Sequence, residues 1–446
     1  MSQLLTIKKG LDLKLAGGIG IDSNRADIAA QQYAVTPSDF PGLTPKVEVA
    51  EGESVAAGQA LLHDKTDERI KIVAPVAGKV SAIVRGERRR IEHIIIDANG
   101  SDTRHFDVKK NMTAEEAKTL LMESGLWALM RQRPFDIIPQ PDSTARDIFV
   151  TAFDSAPLAP NIVDNLNQQK ATLEAAVKLL SLLTSGKVFI SRRQGSLDNI
   201  AGAEMVDVVG PHPAGNAGIQ IANIAPVNKG ETVWTLDITT LWRIGNLVET
   251  GVSDWHVDVA IVGPETKTPQ IIKTYAGAEI KALVADNLAD DNRHKRIISG
   301  NVLTGIKVGQ DDFLRYPYRQ VTVIAEGDDV DEFMGWASLS AKKMSQSRSF
   351  PGHFLFKKLF SPDARLLGGR RALIMSGEYD KYLPMDIMAE YLLKAIIGRD
   401  IEQMEQLGIY EIAPEDLTLG EYADTSKLEA QKIVRDGLDY LRKELQ

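Results

Sequence analysis

Two stretches of this chain gather residue types that could hold a small molecule. The first is Gly210-Pro-His-Pro-Ala-Gly215-Asn-Ala-Gly218. Gly210, Gly215 and Gly218 would let the backbone approach a ligand closely, because glycine carries no Cβ. His212 lies between two prolines, which stiffen the loop that presents it. The loop follows an apolar run at 205–209 that reads as a buried parallel strand, and ligands of open α/β sheets gather at the carboxyl ends of such strands. A rigid interface loop with no ligand accounts for the same residues equally well. The second stretch holds Trp127, Arg131, Arg133, Pro134 and Phe135. Aromatic faces beside guanidinium groups suit a flat, polar-edged molecule such as a quinone or flavin. They suit a protein interface as well, where Trp and Arg are over-represented.

Other chemistries are excluded by what the chain lacks. It has no cysteine, which rules out disulfides, cysteine-ligated zinc, iron–sulfur clusters and a cysteine nucleophile. Its histidines never fall into a His-x-x-x-His or His-Glu-x-x-His pattern, so no metal site is expected. Gly300-Asn-Val-Leu-Thr-Gly305-Ile306-Lys307 imitates a phosphate loop, but Ile306 stands where lysine should follow the second glycine. A turn is the better reading. The acidic residues Asp328, Asp329, Asp331 and Glu332 lack a glycine-centred calcium loop and read as a solvated turn. With 52 Lys+Arg against 61 Asp+Glu the formal charge is −9, which argues against nucleic-acid binding. No run approaches the roughly 18 apolar residues of a spanning helix, and the N-terminus has no secretory pattern. The chain is therefore expected to be soluble and cytoplasmic, touching a membrane only through partners.

The elements that must position these residues change period along the chain. At 446 residues there is room for about three domains. The overall expectation is an α+β multidomain protein. Residues 1–100 show short strands punctuated by Gly and Pro and predict a biotinyl/lipoyl-like β barrel-sandwich domain. Residues 101–256 predict a Rossmann-like α/β domain. Thr113-Ala-Glu-Glu116 is a capping box, and apolar runs at 147–153, 187–191 and 205–209 read as parallel strands around a helix over 166–184. Residues 257–330 follow a β-grasp-like (SLBB-like) order of strands and one short helix. A mixed β segment covers 331–375, and 376–446 form a C-terminal helical domain. There Asp386 is expected to cap a helix that Gly398 stops, and the last helix carries a packing stripe of Val434, Leu438, Leu441 and Leu445.

Five motifs in order resemble the NqrA family, the NqrA-type subunits of the bacterial Na⁺-translocating NADH:quinone oxidoreductase. They are Thr6-Ile-Lys-Lys-Gly-Leu-Asp-Leu13, Glu123-Ser-Gly-Leu-Trp127 with Arg131-x-Arg-Pro-Phe135, Gly210-Pro-His-Pro-Ala-Gly215, Phe333-Met-Gly-Trp-Ala337 and Ser347-Arg-Ser-Phe-Pro-Gly-His353. The resemblance spans almost the whole chain. It implies a peripheral, cofactor-free subunit on the cytoplasmic side of the bacterial inner membrane. Five partner subunits would carry the FAD, FMN, riboflavin and iron–sulfur centres. The complex would oxidise NADH, reduce ubiquinone or menaquinone and move Na⁺ outward, with this chain contributing to the quinone-reduction site and to assembly. Trp127 or Phe135 would stack on the quinone, Arg131, Arg133 or His212 would donate to a carbonyl oxygen, and a near-neutral His212 could supply a proton. A structural adaptor that binds no ligand is the alternative, and a stand-alone flavin-dependent NADH oxidoreductase is a further one.

The family is similar in domain plan to the flavin-bearing NADH-oxidising subunit of respiratory complex I. Those relatives bind nucleotide with a glycine-rich loop, but here bulky side chains over 124–131 fill the corresponding place. Many family members carry two cysteines in a C-terminal Leu-x-Leu-Cys-x-x-x-Cys stretch. This chain has Leu417-Thr-Leu-Gly420-Glu-Tyr-Ala-Asp424 there, so those cysteines are not required for what it does.

Overall fold

The computed structural model describes residues 3–20, 25–164, 166–329, 332–334, 337–346, 349–355 and 358–445. Asp331 and four motif residues, Gly335, Trp336, Ser347 and Arg348, lie outside them. One of two six-stranded sheets has the order Gln3–Thr6, Glu204–Val209, Val188–Arg193, Ile148–Thr151, Val233–Asp237 and Arg131–Arg133. The first five are parallel and the last is antiparallel. Ile148, Phe149 and Val150 are all buried, as expected where elements cover both faces of a parallel sheet. Helices Lys170–Leu180 and Ile238–Thr250 pack closely, and a Cβ at Gly245 would meet Thr172 O at 2.0 Å. From its central strand Ile148–Thr151 the chain steps one way through two strands, then returns to the other side for Val233–Asp237. That reversal of strand order opens a crevice at the carboxyl ends of the strands.

Two sheets make the β sandwich of the N-terminal hundred residues. One orders Gln32–Val35, Ile91–Asp97, Gly78–Arg85 and Ser54–Val55; the other orders Pro45–Val47, Ala60–Asp64 and Lys71–Val73. Leu61, Leu62, Val80, Ile94 and Ile96 fill the space between, each fully buried. The 1–100 unit expected from the sequence also lends strands to its neighbours. Gln3–Thr6 pairs in parallel with Glu204–Val209, and Arg25–Asp27 pairs in parallel with Gln270–Tyr275. Parallel partners need no local turn, so nothing in the flanking residues signals either pairing.

The other six-stranded sheet places Ala260 of the strand His256–Val262 beside Gln320 of Gln320–Ala325, in parallel, at its centre. The antiparallel strands Gln270–Tyr275 and Lys295–Ser299 flank that pair, and helix Ile280–Val284 follows the first hairpin. This is the β-grasp order. Helices then dominate residues 378–445. Met388, not Asp386, occupies the N-cap of Ala389–Gly398, and no side chain caps that end. Gly398 is still helical; Arg399 supplies the left-handed stop at φ 55°. Val434, Leu438 and Leu441 of the last helix are buried, whereas Leu445 is exposed.

Candidate functional site

The crevice at the strand-order reversal widens into a cavity of about 470 Å³. Asp154 reaches it from the loop after Ile148–Thr151, and Asp237 from the end of the neighbouring strand. Tyr316, Tyr318 and Arg319 come from the segment that leads into Gln320–Ala325. Glu415 closes a further side from the short helix Pro414–Leu417.

The acids differ in how far they are committed. Asp237 caps helix Ile238–Thr250 by accepting from Thr240 N at 2.7 Å, and it pairs with Arg319. Burial pushes its pKa up, but Arg319 and the Thr240 amide outweigh burial and hold it below the ordinary carboxylate value. Asp154 accepts from Ala156 N at 2.7 Å and opens onto the cavity. Surrounding protein raises its pKa, with the Ala156 amide and Arg319 opposing and Asp237 adding. Crowding by protein and then by Asp416 likewise raises Glu415, against the pull of Arg133.

Of the residues singled out from sequence, Arg131, Arg133, His212 and Gly215 meet at this cavity. Arg131 donates to the carbonyl oxygens of Ala128 at 3.0 Å and Asp39 at 3.0 Å. Arg133 is buried and bonds Asp416 and Glu415, each at 3.0 Å. His212 is 3% exposed, with Nδ1 3.0 Å from Ser155 Oγ and no partner for Nε2 among the described residues. Burial lowers its pKa to about 4, against a smaller opposing effect of Asp12, so the ring is neutral near pH 7 and cannot act as a cationic acid. Gly215 N donates to Ser155 Oγ at 2.8 Å, and a Cβ on Gly215 would meet Ser155 N at 2.6 Å.

The other candidates lie elsewhere. Trp127 is fully buried, donates from Nε1 to Pro139 O at 2.8 Å and meets Trp234 edge-on at 5.1 Å. It is core, because a large ring with one satisfied N–H packs well between the sheet and the β sandwich. Pro134 is buried too, and Phe135 turns at φ 82° to face Tyr410 edge-on at 6.5 Å. Gly210 holds φ 137° against the N-terminal strand, where a Cβ would meet Ile7 O at 2.3 Å. Sequence reasoning missed Asp154, Asp237, Tyr316, Tyr318, Arg319 and Glu415. Only Asp237 carried a local signal, an acid directly before an amphipathic helix.

Comparison with known proteins gives matches to three domain models. They are described as NqrA N-terminal barrel-sandwich hybrid domain over residues 5–99, NqrA second alpha/beta domain over 112–253 and NQRA C-terminal domain over 258–310. The A-subunit of a Na(+)-translocating NADH-quinone reductase from Shewanella frigidimarina is 35% identical over 447 residues, covering 99% of this chain and 100% of its own. The protein of the same name from Serratia proteamaculans is 36% identical with the same coverage. The chain belongs to the NqrA family of Na⁺-translocating NADH-quinone reductase subunits. A solved NAD⁺-reducing [NiFe]-hydrogenase overlaps it at TM-score 0.38 and 11% identity, over 75% of this chain and 62% of that one.

In this chain Gly420 and Asp424 fill structural roles near its C-terminus. A Cβ at Gly420 would meet the Tyr379 ring at 2.2 Å. Asp424 is buried and accepts from Ser426 N at 2.8 Å and Leu428 N at 3.0 Å.

Proposed function

We propose that this chain is a peripheral, cofactor-free subunit of the Na⁺-pumping NADH:quinone reductase, and that its cavity forms part of the quinone-reduction site. The match over 99% of the chain and the full length of the relatives carries the reading. Five partner subunits hold the flavins and iron–sulfur centres and pass electrons toward ubiquinone or menaquinone. No helix among the described residues is long and apolar enough to cross a membrane. On this reading the chain meets the membrane through its partners, on the cytoplasmic side.

The cavity chemistry fits a quinone head. Its volume lies in the range of small-molecule sites, and Arg131 and His212 line it, while the Tyr318 O–H is already donated to Thr304 O. Ser155 Oγ already accepts from Gly215 N, so its O–H can donate to His212 Nδ1. That arrangement leaves a proton on Nε2, which is buried at the cavity wall and has no partner among the described residues. In the assembled complex, Arg131→Gln should lower quinone-dependent turnover about tenfold, the worth of one charge-assisted hydrogen bond. NADH oxidation by an artificial acceptor should be unaffected. Unchanged quinone kinetics in an intact complex would count against the site.

A further inference from the structure

We propose that Asp154 is the carboxyl group that hands a proton to the quinone as it is reduced, an inference that rests on the quinone-site reading above. Asp154 stands at the strand-order reversal and faces the cavity. The other acids there are bound to structural tasks. Asp237 holds a helix end and Arg319, Glu415 holds Arg133, Asp39 holds Arg315, and Asp136 lies 3.7 Å from Arg435. Asp154 takes one backbone N–H, from Ala156, and has no ion pair within 4.0 Å among the described residues. His212, whose buried Nε2 lacks a partner among the described residues, lines the same cavity.

The charged groups that act on Asp154 from neighbouring elements are Arg319 and Asp237, and Asp154 in turn acts on Glu415. Asp154 is exposed to the cavity; the protein around it moves its pKa above the ordinary carboxylate value, and Arg319 opposes that shift and makes the ionised form tolerable once the proton has left. Two electrons from a reduced flavin in a partner subunit enter the quinone. The Asp154 O–H bond breaks as one quinone oxygen becomes a hydroxyl. Water reaching the open cavity supplies the second proton and reprotonates Asp154.

The test is Asp154→Asn in the assembled complex, beside titration of a short-chain soluble quinone into the purified full-length chain. Asparagine keeps the shape and the bond from Ala156 N but has no acidic proton. Quinone should bind the variant with a Kd within about twofold of wild type, since asparagine matches the carboxyl in size and position. Quinone reduction should lose about 100-fold in kcat, the scale of one general acid, with little change in KM. The decline of wild-type turnover at rising pH should disappear, and Asp154→Glu should restore part of the rate. A variant that binds quinone normally and keeps both the wild-type kcat and the wild-type pH profile overturns the role of Asp154 alone. Failure of the wild-type chain to bind quinone overturns the site reading and the inference with it.

Discussion

The segment 127–135 and the cavity wall formed by Asp154, His212 and Arg319 draw on similar residue types, yet they do opposite work. In the first, neighbours consume nearly every polar group. Trp127 Nε1 meets a carbonyl, Arg131 donates to three more and alone keeps an edge on the cavity, and Arg133, though it reaches the cavity wall, joins the sheet edge to the C-terminal helices through Asp416 and Glu415. In the second, Asp154 keeps its carboxyl toward open space and His212 Nε2 has no partner among the described residues. Residue type says what a side chain can do; the neighbours decide whether it is still free to do it. An aromatic-and-arginine stretch therefore served mainly as a joint.

The largest effect expected from this contrast is on stability. Trp127→Ala should cost about 3–5 kcal/mol in chemical denaturation, because it empties a buried aromatic site and orphans the Pro139 carbonyl. A loss below about 1 kcal/mol would return Trp127 to the candidate ligand contacts. Next comes pH. His212 is neutral when folded down to about 4, while the unfolded imidazole protonates near its ordinary value of 6.5. Its contribution is whole above pH 6.5 and is lost as pH falls toward 4, at most about 3 kcal/mol. His212→Asn should therefore give a shallower acid fall in stability over that window. Parallel curves for the two proteins would show that the ring is not held in its neutral form.

Much of the fold was legible locally. The capping box at Thr113 forms, with Glu116 N at 3.3 Å from Thr113 Oγ1, and the three apolar runs are parallel strands. Those signals are short-range: a side chain reaching three residues along, or continuous burial on both faces. The pairing of Gln3–Thr6 was not legible, since its partner lies some two hundred residues away and parallel strands share no turn. The Asp386 cap failed because the helix starts at Ala389, two residues later than a cap at 386 would set it. For the site, the loop with His212 and Gly215 was legible from its glycines and prolines. Asp154 and Arg319 were not, because one acid among 61 and one base among 52 gain meaning only when the strand order reverses beside them.

The most direct test of the cavity as the ligand site is to fill it. Ala156 lines the cavity, and Ala156→Trp would occupy it without removing a charge. Titrating a short-chain quinone into purified wild-type and Ala156→Trp chains, with thermal unfolding as a control, should show saturable binding by the first. The second should bind at least about tenfold more weakly while remaining folded. Equal binding by both folded proteins would place the quinone outside this cavity and contradict the account.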